Sequence, residues 1–283
     1  MPTSHEFLHS RSAALISALS TLAQVRAILC FGSYAMGTSD ASSDIDLYVV
    51  CHPQIVAPDE RQAAFLQAGD LDELHLDYDQ PGWENQWCPS NDRLRLNGIQ
   101  FDIVYNTLNW VQAVVNQVKT LGATSIPKLR FRPYTFLGML ENSVILYDAD
   151  GVLHRIVADL YPYPPTLRQA LMDSSLAVIH SSLEDMQDYA RRNIGNSAFL
   201  FHLWRVIDAM ETLLFALNER YNPATKRLEE AYRSLPILPA NFLKRYNGLL
   251  ETPLTPPGRL KIVAGLQTLV DDIVELARRP AAG

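Results

Sequence analysis

Asp44 and Asp46 stand two residues apart in "SDIDLYVV", in an apolar run that follows the Gly32-Ser33 pair. Alternation along a strand places both carboxylates on one side of a sheet. Like charges held that close disfavour ionisation, so the pair calls for a cation between them. Mg2+ suits this role, because it takes carboxylates together with substrate phosphate oxygens. Gly32 has no Cβ, so a ligand can approach the backbone there. Exposed N–H groups and the Ser33 hydroxyl at a helix start suit a phosphate. A third carboxylate from a neighbouring strand would complete a two-metal site. Asp102 in "IQFDIVY", flanked by apolar residues on a hairpin, is the best candidate.

These residues need elements to hold them. Apolar spacing predicts a helix over 6–24, and "RAILCFG" predicts a strand ending at Gly32. "DIDLYVVC" reads as the next strand, rich in β-branched and aromatic residues. "DERQAAFLQAG" reads as a helix or turn segment, and "ELHLDYD" as an alternating strand that carries Asp77 and Asp79. "RLRLNGIQFDIVY" is two alternating runs joined by Asn97-Gly98, the preferred chemistry of a type I′ hairpin. Helical spacing returns in "TLNWVQAVVNQVKTLG". "VILYDADGVLHRIV" reads as strand and turn, "YPYPPT" as a rigid linker, and helices follow near 166–192, 196–220, 224–234, 239–250 and 257–278.

Gly32-Ser33, ten intervening residues and then Asp44-Ile45-Asp46-Leu47 resemble the signature of the DNA polymerase β-type nucleotidyltransferase superfamily. "SDIDL" resembles its antibiotic-modifying members, the aminoglycoside nucleotidyltransferases, and "FALNERYNPATKRLEE" is similar to a stretch in the helical domain of such enzymes. The resemblance implies an α+β fold: a polymerase β-like catalytic domain, a mixed sheet with flanking helices, over 1–155, then an α-helical bundle over 156–283 for substrate or nucleotide binding. It implies transfer of a nucleoside monophosphate, AMP from ATP as the first expectation, from a nucleoside triphosphate to a hydroxyl, with release of pyrophosphate. Two Mg2+ ions are implied, one bridged by Asp44 and Asp46 and a second completed by Asp102. Asp77 or Asp79 is implied as general base, with Asp77 the alternative third ligand. Lys226, with Arg227 beside it, is implied to reach the triphosphate from the helical half.

Composition bounds the rest. The chain has 283 residues, 48% hydrophobic and 19% charged, which fits one large or two ordinary folded domains. No membrane span and no signal peptide are expected, and Cys30, Cys51 and Cys88 lack metal-binding spacing, so a reducing, cytoplasmic setting without structural zinc is expected. Residues 1–150 hold 9 Lys/Arg against 17 Asp/Glu, and residues 151–283 hold 15 against 14. That acidic first half argues against nucleic acid as a partner. It suits metal ions and a cationic small-molecule acceptor such as an aminoglycoside, a sugar or another metabolite being equally compatible. Two other functions fit the motifs: a toxin–antitoxin type transferase acting on a protein or tRNA, and a nucleotide-binding protein with a degenerate site. Trp83, Trp87 and Trp110 are candidates to line a pocket, and Arg130 and Arg132 to contact phosphates.

Overall fold

The computed structural model describes residues 4–40, 42–78, 87–126, 132–223 and 228–278. The chain divides into two compact units, Met1–Pro164 and Pro165–Gly283. The fold is α+β, a mixed sheet with flanking helices followed by a helical unit.

In the first unit the order is α1 (Ser4–Ser20), β1 (Val25–Phe31), α2 (Gly32–Ala35), β2 (Ile45–Cys51), α3 (Pro58–Ala68), β3 (Leu71–His75), β4 (Ser90–Leu96), β5 (Ile99–Thr107), α4 (Leu108–Leu121), α5 (Pro133–Glu141), β6 (Val144–Asp148) and α6 (Val152–Ala158). The strands form one sheet in the order β3-β4-β5-β2-β1-β6. β2 and β5 run parallel, and the other neighbours antiparallel. The β4–β5 turn is the one the sequence predicts: Asn97 (φ 51°) and Gly98 (φ 74°) are both left-handed, as a type I′ turn requires.

Alternation divides the sheet into two unlike faces. Ile45, Leu47 and Val49 of β2, Ile28 and Cys30 of β1, and Phe101 and Ile103 of β5 join Leu8, Leu15, Leu19 and Phe65 of α1 and α3 in one buried core. Their neighbours in sequence point the other way. There Tyr48, Trp87, Phe136 and Trp110 form an aromatic cluster, with ring centroids 5.0–6.2 Å apart. Phe136 comes from α5 and Trp110 from α4, and Thr107 caps α4 by accepting a hydrogen bond from the Trp110 N–H.

Three local expectations change. The strand predicted over "ELHLDYD" ends at His75, because Asp77 takes a left-handed φ of 46°. α5 arises from an apolar run too short to display a period, opened by Pro133 in the first turn. The turn read after Asp148 winds into α6, whose first turn is held by the Asp148 carboxylate accepting from the His154 backbone N–H. The three cysteines are buried, and none of them is in a disulfide.

The second unit comprises α7 (Pro165–Arg191), α8 (Asn196–Leu217), α9 (Leu228–Arg233), α10 (Phe242–Leu250) and α11 (Pro256–Arg278). Its core is built from one stripe of each helix, including Ile179, Phe199, Met210, Tyr232, Phe242 and Leu269. Buried Arg259 of α11 donates to the Ile194 carbonyl and to Asn193 Oδ1, which ties down the turn between α7 and α8. Among the described residues no helix is long and apolar enough to cross a membrane.

Candidate active site

Strand register assembles the site. Phe31 pairs with Asp46 across β1–β2, Asp46 with Asp102 across β2–β5, and Asp102 with Arg93 across β5–β4. Paired residues share a face, so this row crosses four strands on the side away from the α1–α3 core. Asp44 lies one residue before β2 and joins the row from its end. Asp44, Asp46 and Asp102 each offer a carboxylate oxygen, and these atoms all lie within 4.8 Å of one another. Burial, and after it the Asp46 charge, push the neighbouring Cys30 thiol up to about 12, so it stays protonated.

Gly32 is where the chain must turn beside these acids. Its φ is +69°, and a Cβ there would overlap Asp46 Oδ2. Glycine is therefore required twice, for the left-handed backbone and for the space. The turn continues into α2, where the Ser33 carbonyl accepts from the Thr38 N–H at 2.9 Å.

Arg93 was not foreseen. Its Nε and Nη2 donate to Asp102 Oδ1 and Oδ2, both at 2.8 Å, and its guanidinium lies 4.8 Å from the Tyr78 ring centroid. The hydrogen bond to Asp102 raises the Arg93 pKa further above its usual range. The signal lay in the hairpin: counting outward from Asn97-Gly98 sets residue 93 opposite residue 102. A carboxylate has about four lone-pair sites and the fork uses two, so Asp102 keeps acceptor capacity. An all-oxygen set of three acids around a space kept open by a glycine is what a hard divalent cation requires, so the residues fit Mg2+.

Asp77 does not converge with these acids. Its carboxylate accepts from Arg61 Nη2 at 2.9 Å and from Ser90 Oγ at 2.5 Å. Arg61 comes from α3 and is 1% exposed; it also faces Asp92 Oδ1 at 3.1 Å and lies 4.6 Å from the Tyr105 ring centroid. Asp92 adjoins Arg93 in sequence and so faces the opposite side of the sheet. Burial pushes Asp92 up to about 6 despite Arg61. For Asp77, burial raises the pKa, but Ser90 and Arg61 outweigh it and hold the carboxyl below its usual range. Tied in this way, Asp77 is paired on the α3 face and lies outside the group formed by Asp44, Asp46 and Asp102. Asp79, Trp83, Arg130, Lys226 and Arg227 lie outside the described residues.

A cavity of about 280 Å3 opens beside the row, lined by Asp46, Asp102 and Arg93 and by the rings of Phe31, Tyr78 and Trp87. Trp87 is a wall of this cavity as well as a packing residue, while Trp110 packs edge-on against Phe136 at 5.0 Å.

Residues 14–80 match the family described as polymerase beta, nucleotidyltransferase. The match lies inside the first unit, whose residues 14–80 are thus similar to polymerase β-type nucleotidyltransferases. The match spans Gly32, Ser33, Asp44 and Asp46 and stops short of Asp102, which the parallel register alone brings in. Residues 131–228 match a second family, a domain of unknown function designated DUF4037. A solved nucleotidyltransferase-like protein from Exiguobacterium sibiricum 255-15 is 13% identical, covering 95% of this chain and 77% of that chain, with a TM-score of 0.47. No curated protein matches.

Proposed function

We propose that the nucleotidyltransferase domain moves a nucleoside monophosphate, AMP from ATP in the first instance, onto a hydroxyl of a small molecule in a Mg2+-dependent reaction. The observation that carries this reading is the approach of Asp44, Asp46 and Asp102 to within 4.8 Å opposite a glycine that leaves room for them. Asp44 and Asp46 would hold one ion, and Asp102 would complete a second. When bound, the metal neutralises the triphosphate and lowers the pKa of the attacking hydroxyl. Gly32 and Ser33 offer backbone space and a hydroxyl to the phosphates. Arg93 orients Asp102 through its two-point fork. The acceptor oxygen bonds to the α-phosphorus as the bond from that phosphorus to pyrophosphate breaks, and the hydroxyl proton leaves to solvent.

The test is pyrophosphate release and label transfer from α-labelled nucleoside triphosphates, with Mg2+ and panels of small hydroxyl compounds, tRNA and protein lysate. Label on a small molecule that disappears in Asp46→Asn, with the fold intact by circular dichroism, supports the reading. Undiminished transfer in Asp46→Asn, or label confined to tRNA or protein, defeats it.

A further inference from the structure

We propose that Tyr78 is a positioning residue: its ring braces the Arg93 fork and so fixes the carboxylate of Asp102 toward Asp44 and Asp46. The consequence for metal binding rests on the transferase reading above.

The fork needs a brace. The Arg93 side chain is 38% exposed and that of Asp102 26%. Ion pairs so open to water hold little net stability, because ordering a long side chain offsets the attraction. Asp102 also stands among like charges, since Asp44 and Asp46 bring carboxylate oxygens within 4.8 Å of its own. Their repulsion favours rotation away from the cluster whenever no cation is bound. Arg93 opposes that rotation by holding both Asp102 oxygens at 2.8 Å, which fixes the plane of the carboxylate. The Tyr78 ring lies against the same guanidinium, its centroid 4.8 Å from Cζ. An aromatic face at that distance attracts the cation and restricts its swing.

The chain leaves its regular course to put the ring there. His75 pairs with Arg93 across β3–β4, so both face the side of the acid row. Unbroken alternation would carry residue 77 to that side and residue 78 to the α3 side. Asp77, at φ 46°, reverses the order. Its carboxylate meets Arg61 of α3 and Ser90, and Tyr78 turns to Arg93. Left-handed backbone is costly for a residue with a Cβ and persists only where the surroundings over-determine it. Here they do. Besides the two bonds to its carboxylate, Asp77 donates its N–H to Asp92 Oδ1 at 3.0 Å, and the Tyr78 N–H donates to the Asn91 carbonyl at 2.8 Å. The ring also packs on His75, with centroids 5.6 Å apart, and His75 Nε2 lies 2.8 Å from Glu73 Oε1. A polar network on the α3 face of the sheet thus ends in an aromatic platform on the acid face.

Arginine side-chain NMR and Mn2+ titration of the full chain test this. Exchange of the Arg93 Nε–H with water, its resonance assigned by loss in Arg93→Gln, reads the brace without any metal. Exchange should stay slow in Tyr78→Phe, which keeps the ring, and quicken by about threefold in Tyr78→Leu, which removes it. Mn2+ affinity, read by water-proton relaxation, should fall about threefold in Tyr78→Leu and hold in Tyr78→Phe. It should fall no further when Tyr78→Leu is added to Arg93→Gln, and that non-additivity separates positioning through Arg93 from a general loss of structure. Unchanged exchange or unchanged Mn2+ affinity in Tyr78→Leu, an equal Mn2+ loss with and without Arg93, or a Tyr78→Phe variant as impaired as Tyr78→Leu would each overturn the proposal. A wild type that binds no Mn2+ but shows the exchange difference would keep the brace and defeat the transferase reading instead.

Discussion

Gly32→Ala is a small change with two separable consequences. The residue sits at φ +69°, and the added methyl would overlap Asp46 Oδ2. An L-residue in the left-handed region costs about 1–2 kcal/mol. For a unit of this size that corresponds to a fall in melting temperature of about 2–8 °C. Asp46 must also turn its carboxylate away, which separates it from Asp44 and Asp102. Displacement of a reacting group by about 1 Å costs on the order of 100-fold in rate. Calorimetry reads the first effect; water-proton relaxation with Mn2+ and pyrophosphate release read the second. The expected result is a modest loss of stability with a large loss of metal binding and transfer. A variant that melts as the wild type does and binds Mn2+ equally well would refute both the steric argument and the place given to Asp46.

Three further outcomes follow from the charge networks. Arg61→Met removes the partner of fully buried Asp92 and should destabilise the protein by about 3–5 kcal/mol, read from urea unfolding at pH 7. Because burial raises Asp92 to about 6, its protonated form adds stability below about pH 4 that is lost as pH rises through 6, up to about 3 kcal/mol. Urea midpoints at pH 4.5 and 7.5 should show a fall that Asp92→Asn lacks, and equal slopes in the two proteins would contradict this. Arg93→Gln removes a positive charge from the edge of the acid cluster and should tighten Mn2+ binding by about 1 kcal/mol, measured by relaxation titration; weaker binding would mean that orienting Asp102 outweighs the charge.

What could be read from the chain alone was what local chemistry dictates. Asn97-Gly98 announced its turn, because both residues tolerate positive φ, and the turn fixed which residues of β4 and β5 face each other. The meeting of Asp46 with Asp102 was approachable because each sits at a polar step in an apolar run. Arg61 was hidden for the opposite reason. In "DERQAAF" it looks like a solvated helix charge, and its burial follows only from Asp77, Ser90 and Asp92, which are distant in sequence. That arginine also holds Asp77 beside α3, where the alternation in "LHLDYD" continues past the point at which the strand stops. Trp87 gave no local sign, since a lone indole acquires a role only from the cavity it lines.

The parallel join between β2 and β5 has a corollary. Asp46 and Asp102 become neighbours only when β2 pairs with β5 across the intervening α3, β3 and β4, so the acidic centre depends on a contact distant in sequence. A chain in which that pairing has opened would keep its glycine turn and first two acids but lose the third from their side.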